Sequence, residues 1–201
     1  MIIFVALFIS NQPKGMKIET TLLIADLIKR TKDHLHQAET FLQQPIDTLN
    51  WKENAEKWSI LECFEHLNRY GDFYIPEITK RIQAAPKNTA TDVFKSGLLG
   101  NYFAESMLPK EKLNKMKTFK SMNPAGSTLD KAVIEKFIQQ QKQLLNLLEQ
   151  AQKVNLSKTK TSISISKLIK LKLGDTFRVV IYHNYRHLVQ ANGVLKTIEA
   201  R

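Results

Sequence analysis

LGDTFRVVIYHNYRHLVQAN, residues 173–192, is the stretch that decides the fold. Phe177, Val180, Ile181, Asn184, Leu188, Ala191 and, just beyond it, Leu195 recur at helical spacing and trace one inward stripe. The pattern predicts a long amphipathic helix over about 171–198, with a turn near Gly174 before its main body. His183 and His187 lie beside the stripe, not opposite it. Residues four apart stack one turn apart on the same helical face, so these two imidazoles can reach one metal ion. A third histidine, His66, stands in the early segment WSILECFEHLNRY, and a facing helix there would supply the third nitrogen. Three histidines make an open, catalytic type of centre, whereas structural sites are closed by four protein ligands. The H-x-x-x-H spacing alone is weak, because a helix can carry two solvated histidines for no special reason.

Working outward, three more helices are expected. The first runs from about Ile18 to Gln44, with Leu22, Ala25, Ile28, Leu35 and Phe41 on its apolar face and Pro45 limiting it. His34 and His36 lie on it two apart, so they point to different faces and read as exposed or interfacial rather than as ligands. The second begins near Trp58 and fades before Pro86; Ser59 and Glu62 have capping-box spacing, and Trp58 would staple or shield the bundle end. Gly71 and Pro76 predict a kink near Phe73 and Tyr74. Residues 87–127 are the least regular part: a short helix interrupted by Gly97 and Gly100, then a turn with Ser127 or Thr128 capping the next helix. So long a crossover is unusual unless it is structured or lines a site. Its aromatics Phe94, Tyr102, Phe103 and Phe119 suit a wall of an apolar pocket or a satellite core. The third helix spans about Leu129 to Lys153. TSISIS, residues 161–166, alternates like a strand but has no evident partner and is expected to be an extended loop. Four major helices without a convincing sheet predict an all-α four-helix bundle.

The chain is long enough, at 201 residues with 43% hydrophobic composition, for one sizeable core. Its lone cysteine, Cys63, excludes an internal disulfide and reads as a buried or partly buried thiol. The formal net charge of +11 would attract acidic substrates, nucleic acid or anionic lipid. Much of it falls in KEKLNKMKTFK (110–120) and in 153–172, where six lysines stand with no acid. No zinc finger, RRM signature or helix-turn-helix pattern accompanies them, so a solvated lysine-rich surface is favoured over nucleic-acid binding. The start, MIIFVALFIS, is too short to span a membrane and lacks the basic region and cleavage site of a signal peptide. Residues 1–15 are expected to lie outside a single domain covering 16–201, and a cytoplasmic location is expected.

Four segments in order resemble the DinB-like (damage-inducible) superfamily. They are NWKENAEKWSILECFEHL (50–67), LNKMKTFKSMNPAG (113–126), FIQQQKQLLNLLEQAQ (137–152) and the opening stretch, and the resemblance covers roughly residues 17–200. It implies a DinB-like bundle with long crossover connections and a parallel adjacent pair of helices. It further implies a divalent metal, nickel or zinc, held by His66, His183 and His187, and frequent homodimerisation. Related groups include thiol-dependent transferases and isomerases, so the resemblance does not select one reaction or substrate.

A trihistidine centre would activate water or a substrate thiol, which points to a hydrolase or a thiol-dependent transferase with no side-chain nucleophile. Glu62, four before His66, can orient a ligand or relay a proton, although a capping carboxylate is the plainer reading. Glu65 reads as solvated or paired with a lysine. Tyr70, four after His66, suits a hydrogen bond in the pocket or a boundary aromatic. Gln190, three after His187, and the inward Asn184 suit either a bond to a ligand or an interhelical one. The competing account is a non-catalytic basic helical bundle that binds a partner.

Overall fold

A computed structural model describes residues 15–109 and 118–200, with the side chain of residue 167 excepted. The apolar start expected outside the core, up to residue 14, and most of the lysine-rich 110–120 stretch lie outside the described residues. In chain order the elements are β1 (Lys17–Glu19), α1 (Thr20–Leu42), α2 (Ile46–Asn50), α3 (Ile60–Ala84), β2 (Val93–Lys95), α4 (Leu98–Met107), a single 3-10 turn (Lys120–Met122), α5 (Ala132–Ala151), β3 (Lys160–Ile163), β4 (Ser166–Lys172) and α6 (Leu173–Glu199).

The four long helices are those expected. Among them α3 packs on α5 and α6, and α1 packs on the same two, so the order round the bundle is α1–α5–α3–α6. Two apolar clusters fill its two ends. One gathers Leu27, Tyr74, Ile78, Leu148, Phe177 and Ile181; the other gathers Phe41, Ile60, Phe64, Phe137, Leu188 and Ala191. Each such side chain contributes about 1.5–3 kcal/mol by leaving water. Reading the clusters along the chain gives the direction of each helix. α1 and α6 run from the first cluster to the second, while α3 and α5 run the other way. Neighbours in space therefore include parallel pairs, which only long crossovers can join.

Between the clusters each long helix carries buried polar side chains: Thr31 and His34 on α1, His66 and Asn68 on α3, Gln140 and Gln141 on α5, Asn184 and His187 on α6. Several satisfy one another. Asn68 Nδ2 donates to the Val133 carbonyl (2.8 Å), Gln140 Nε2 to the Asn68 carbonyl (3.1 Å), and Asn184 Nδ2 to Gln141 Oε1 (3.2 Å). Gly71 makes the α3–α5 contact possible, because a Cβ there would stand 2.1 Å from Gln140 Oε1. α3 continues as one helix through Gly71 and Pro76.

Several local expectations are corrected. TSISIS is not a loop: Lys160–Ile163 pairs antiparallel with Ser166–Lys172. The partner strand lay in the LIKLK segment, whose last residues had been counted with the final helix. That helix begins at Leu173 and passes through Gly174 without a separate turn. Val93–Lys95 also pairs with Lys17–Glu19, so two small two-stranded sheets flank the bundle. Gly100 does not interrupt the short helix but lies inside α4, packed so closely on α6 that a Cβ would meet Asp175 Oδ2 at 2.3 Å. Neither Ser127 nor Thr128 caps α5; Asp130 Oδ1 accepts the Ala132 amide (2.9 Å) instead. His34 is buried and stacks on Tyr185 across the α1–α6 interface, while His36 is exposed. Cys63 is buried, and desolvation pushes its thiol pKa well up, which makes it inert. No described helix is long and apolar enough to cross a membrane.

Candidate metal centre

The site is built at the mid-level of the bundle, where α3 faces α6. α3 starts with a complete capping box: Ser59 Oγ accepts the Glu62 amide (3.1 Å) and Glu62 Oε2 accepts the Ser59 amide (2.9 Å). Glu62 Oε1 also receives Lys52 Nζ and the Gly126 amide, the latter at 3.1 Å. Glu62 thus ties the helix start to the chain arriving before α5. Four residues later, His66 is fixed by the same arriving segment: its Nδ1 donates to the Met122 carbonyl at 2.7 Å. Arg69 completes the anchorage, giving Nη1 to the Asn123 carbonyl (2.8 Å) and Nε to Glu65 (2.8 Å). Glu65 is thereby paired with an arginine, not a lysine.

On α6, His187 Nδ1 donates to Gln190 Oε1 at 2.9 Å. With Nδ1 protonated in both His66 and His187, each Nε2 keeps a lone pair. Those atoms point at the third imidazole. His183 Nε2 stands 3.2 Å from His66 Nε2 and 3.1 Å from His187 Nε2. All three ligand atoms lie within 4.8 Å of one another. Zinc holds imidazole nitrogen at about 2.0–2.1 Å, which in tetrahedral geometry separates two nitrogens by about 3.3–3.4 Å. The donor set and its spacing fit a divalent cation.

Electrostatics keep the lone pairs free. Burial holds the His66 pKa down at about 4 and the His187 pKa at about 3, and it lowers His183 well below the usual imidazole value. The neighbouring histidines and Arg186 add to the depression of His183 and His187. All three are neutral near pH 7, the state a metal ligand requires. Trp58 packs on His66 and His187 (ring centroids 4.8 and 5.7 Å), and Tyr70 packs on His66 and His183 (5.0 and 4.7 Å). Burial also raises the Tyr70 phenol to about 12, so it stays protonated. A cleft of about 630 Å³ opens onto the cluster between Trp51, Lys57, Trp58, Tyr70 and Arg186.

The structure therefore brings His66, His183 and His187 together, with Tyr70 against two of the rings and Gln190 bonded to the third. Asn184 turns to Gln141 across the bundle, and Glu62 is engaged at the helix start. Three contributors escaped the sequence reading. The Met122 carbonyl carries no residue signature. Trp58 was expected at the bundle end, and Arg186 carries no signal in the sequence.

A protein-family model described as the DinB superfamily matches residues 27–191, well over half of the chain. No curated protein and no solved structure matches it.

Proposed function

The chain belongs to the DinB superfamily, and from that membership and the converging imidazoles we propose that it is a divalent-metal-dependent enzyme. His66, His183 and His187 hold the cation, zinc or nickel, and the reaction is hydrolysis or transfer to a thiol. The observation that carries this reading is the gathering of three Nε2 atoms, with that of His183 3.2 and 3.1 Å from the other two, whose rings are fixed in tautomer from behind by Met122 and Gln190. Outer partners of this kind orient a metal ligand and raise its basicity.

A divalent cation bound there supplies Lewis acidity that makes a water or thiol nucleophilic near neutral pH. The protein supplies the rest. Trp58 and Tyr70 pack against the histidine rings and keep water from those flanks, which strengthens charge interactions there. Arg186 lines the same cleft, and its charge already acts on His183 and His187. It is placed to bind an anionic group of the substrate or to stabilise negative charge that develops during the reaction. The aromatic Tyr70 hydroxyl remains a proton donor, not a base, at working pH.

The test is metal analysis of untagged protein. Purified from cells grown without added nickel, the protein is expected to retain about one transition-metal ion per chain, and His66→Ala is expected to lose it. Full retention in that variant would refute the assignment.

A further inference from the structure

The histidine cluster borders a second cleft that nothing above uses. Its volume is about 410 Å³, within the range of small-molecule sites. Tyr70, Met107, Phe119 and His183 line both clefts, so the two meet at the cluster. Their chemistry differs. The first presents Glu53, Lys57, Arg186 and Gln190. Among the described residues, the second has no carboxylate, ammonium or guanidinium on its walls. Two of its polar groups are already engaged: Ser106 Oγ donates to the Phe103 carbonyl (2.7 Å), and the Tyr74 hydroxyl accepts the Ser164 amide (3.3 Å).

The walls combine two core helices, α3 and α6, with additions to the four-helix core. α4 brings Tyr102, Phe103 and Met107, the β3–β4 turn brings Ile165, and α6 brings Val179. Three of these apolar groups stay in water: Tyr102 is 50% exposed, Ile165 48% and Phe119 47%. Large apolar side chains gathered round one concavity, beside a reactive centre, mark a binding surface. α4 is also held rigidly in place, because Arg178 of α6 reaches Asn101 (3.0 Å) and Glu105 (2.7 Å) on it.

We infer that the second cleft receives the apolar part of the substrate, an alkyl chain or single aromatic ring attached to the group that reacts at the histidines. The substrate class is then a small amphipathic molecule, with its polar head at His66, His183 and His187 and its hydrocarbon between α4, the hairpin turn and α6. This deepens, and rests on, the metal-centre reading.

A homologous series of hydroxamates tests it on full-length protein loaded with cobalt(II), whose visible absorption reports binding. Acetohydroxamate carries the metal-seeking head alone; hexano- and octanohydroxamate add the tail. Each methylene is expected to tighten binding roughly fourfold until the cleft is filled. Ser106→Phe, which fills the cleft, and Ile165→Glu, which charges its mouth at an exposed turn, are each expected to collapse the octano-to-aceto affinity ratio toward one. Cobalt bound with equal affinity across the series would overturn the inference and leave the metal centre standing. A chain-length gain unchanged in both variants would also overturn it, since the tail would then lie elsewhere. Failure to bind cobalt at all would overturn the metal centre and this inference together.

Discussion

Two buried polar clusters sit on α6 little more than a turn apart, and they are opposites. Near the helix start, Arg178 is fully buried beside Asp175, which is equally buried. Arg178 Nη1 reaches Asp175 Oδ1 (3.3 Å) and Asn101 Oδ1 (3.0 Å), and Nη2 reaches Glu105 (2.7 Å). Asp175 in turn accepts Ser96 Oγ (2.7 Å) and the Gly97 amide (2.8 Å). Positive meets negative, and donors meet acceptors. Farther along, His183 and His187 with His66 bring together three neutral groups of one kind, with ring nitrogens within 4.8 Å of one another. The first cluster pairs opposite charges and fastens α4 to the bundle, although Arg178 Nε has no hydrogen-bond partner among the described residues. The second gathers three imidazoles able to hold a cation. Burial and polarity alone do not distinguish structure from site; opposite charges paired in one cluster and like imidazoles gathered in the other do.

Four changes would break or sharpen this contrast. The largest effect is expected at the closed cluster. Arg178→Leu strands the Asp175 carboxylate in the interior, so unfolding should become easier by about 3–5 kcal/mol. Chemical denaturation would measure that, with metal stoichiometry of the folded fraction unchanged. A loss below about 1 kcal/mol would mean that the ion pair is dispensable.

Acid gives the next effect, in metal-free protein. Burial lowers the His34 pKa to about 4, against about 6.5 in an unfolded chain. Between those values the unfolded chain binds a proton that the folded one refuses, so stability falls as pH drops from 6.5 to 4. His34 alone accounts for on the order of 3 kcal/mol at most. Denaturation curves across that window should show the decline, and His34→Phe should make it shallower.

The remaining two act on the open cluster. His183→Ala removes the central nitrogen and should weaken metal binding by more than the roughly 100-fold ceiling for an outer partner, without loss of helix content. Gln190→Leu leaves all three nitrogens but frees the His187 ring, and a 10–100-fold loss is expected. Competition against a chelator of known affinity reads both. Equal affinities for wild type and Gln190→Leu would show that Gln190 does not orient the ligand.

Much of this was legible in the residues. The 3.6-residue stripes of α1, α3, α5 and α6 gave four helices, and Ser59 with Glu62 gave the start of α3. The spacing of His183 and His187 gave the shared face, and the resemblance supplied His66 as their companion. The hairpin was missed because KTSISISKLIKLK alternates on both sides of its turn, while only the first half was weighed as strand. Nothing in the sequence marks Asp175 and Arg178 as buried, since their partners Ser96, Asn101 and Glu105 lie about 70–80 positions away. Of the four crossover aromatics, Tyr102, Phe103 and Phe119 do wall a cleft, whereas Phe94 is in the core. Composition cannot separate those fates, because the choice depends on where α4 docks.

Anomalous scattering from crystals of the untagged protein, collected at the zinc and nickel edges, reaches the central claim most directly. One peak is predicted, bonded to Nε2 of His66, His183 and His187 at about 2.0–2.1 Å. No peak at that point in metal-replete crystals, with the three Nε2 atoms in contact only with one another, would contradict it.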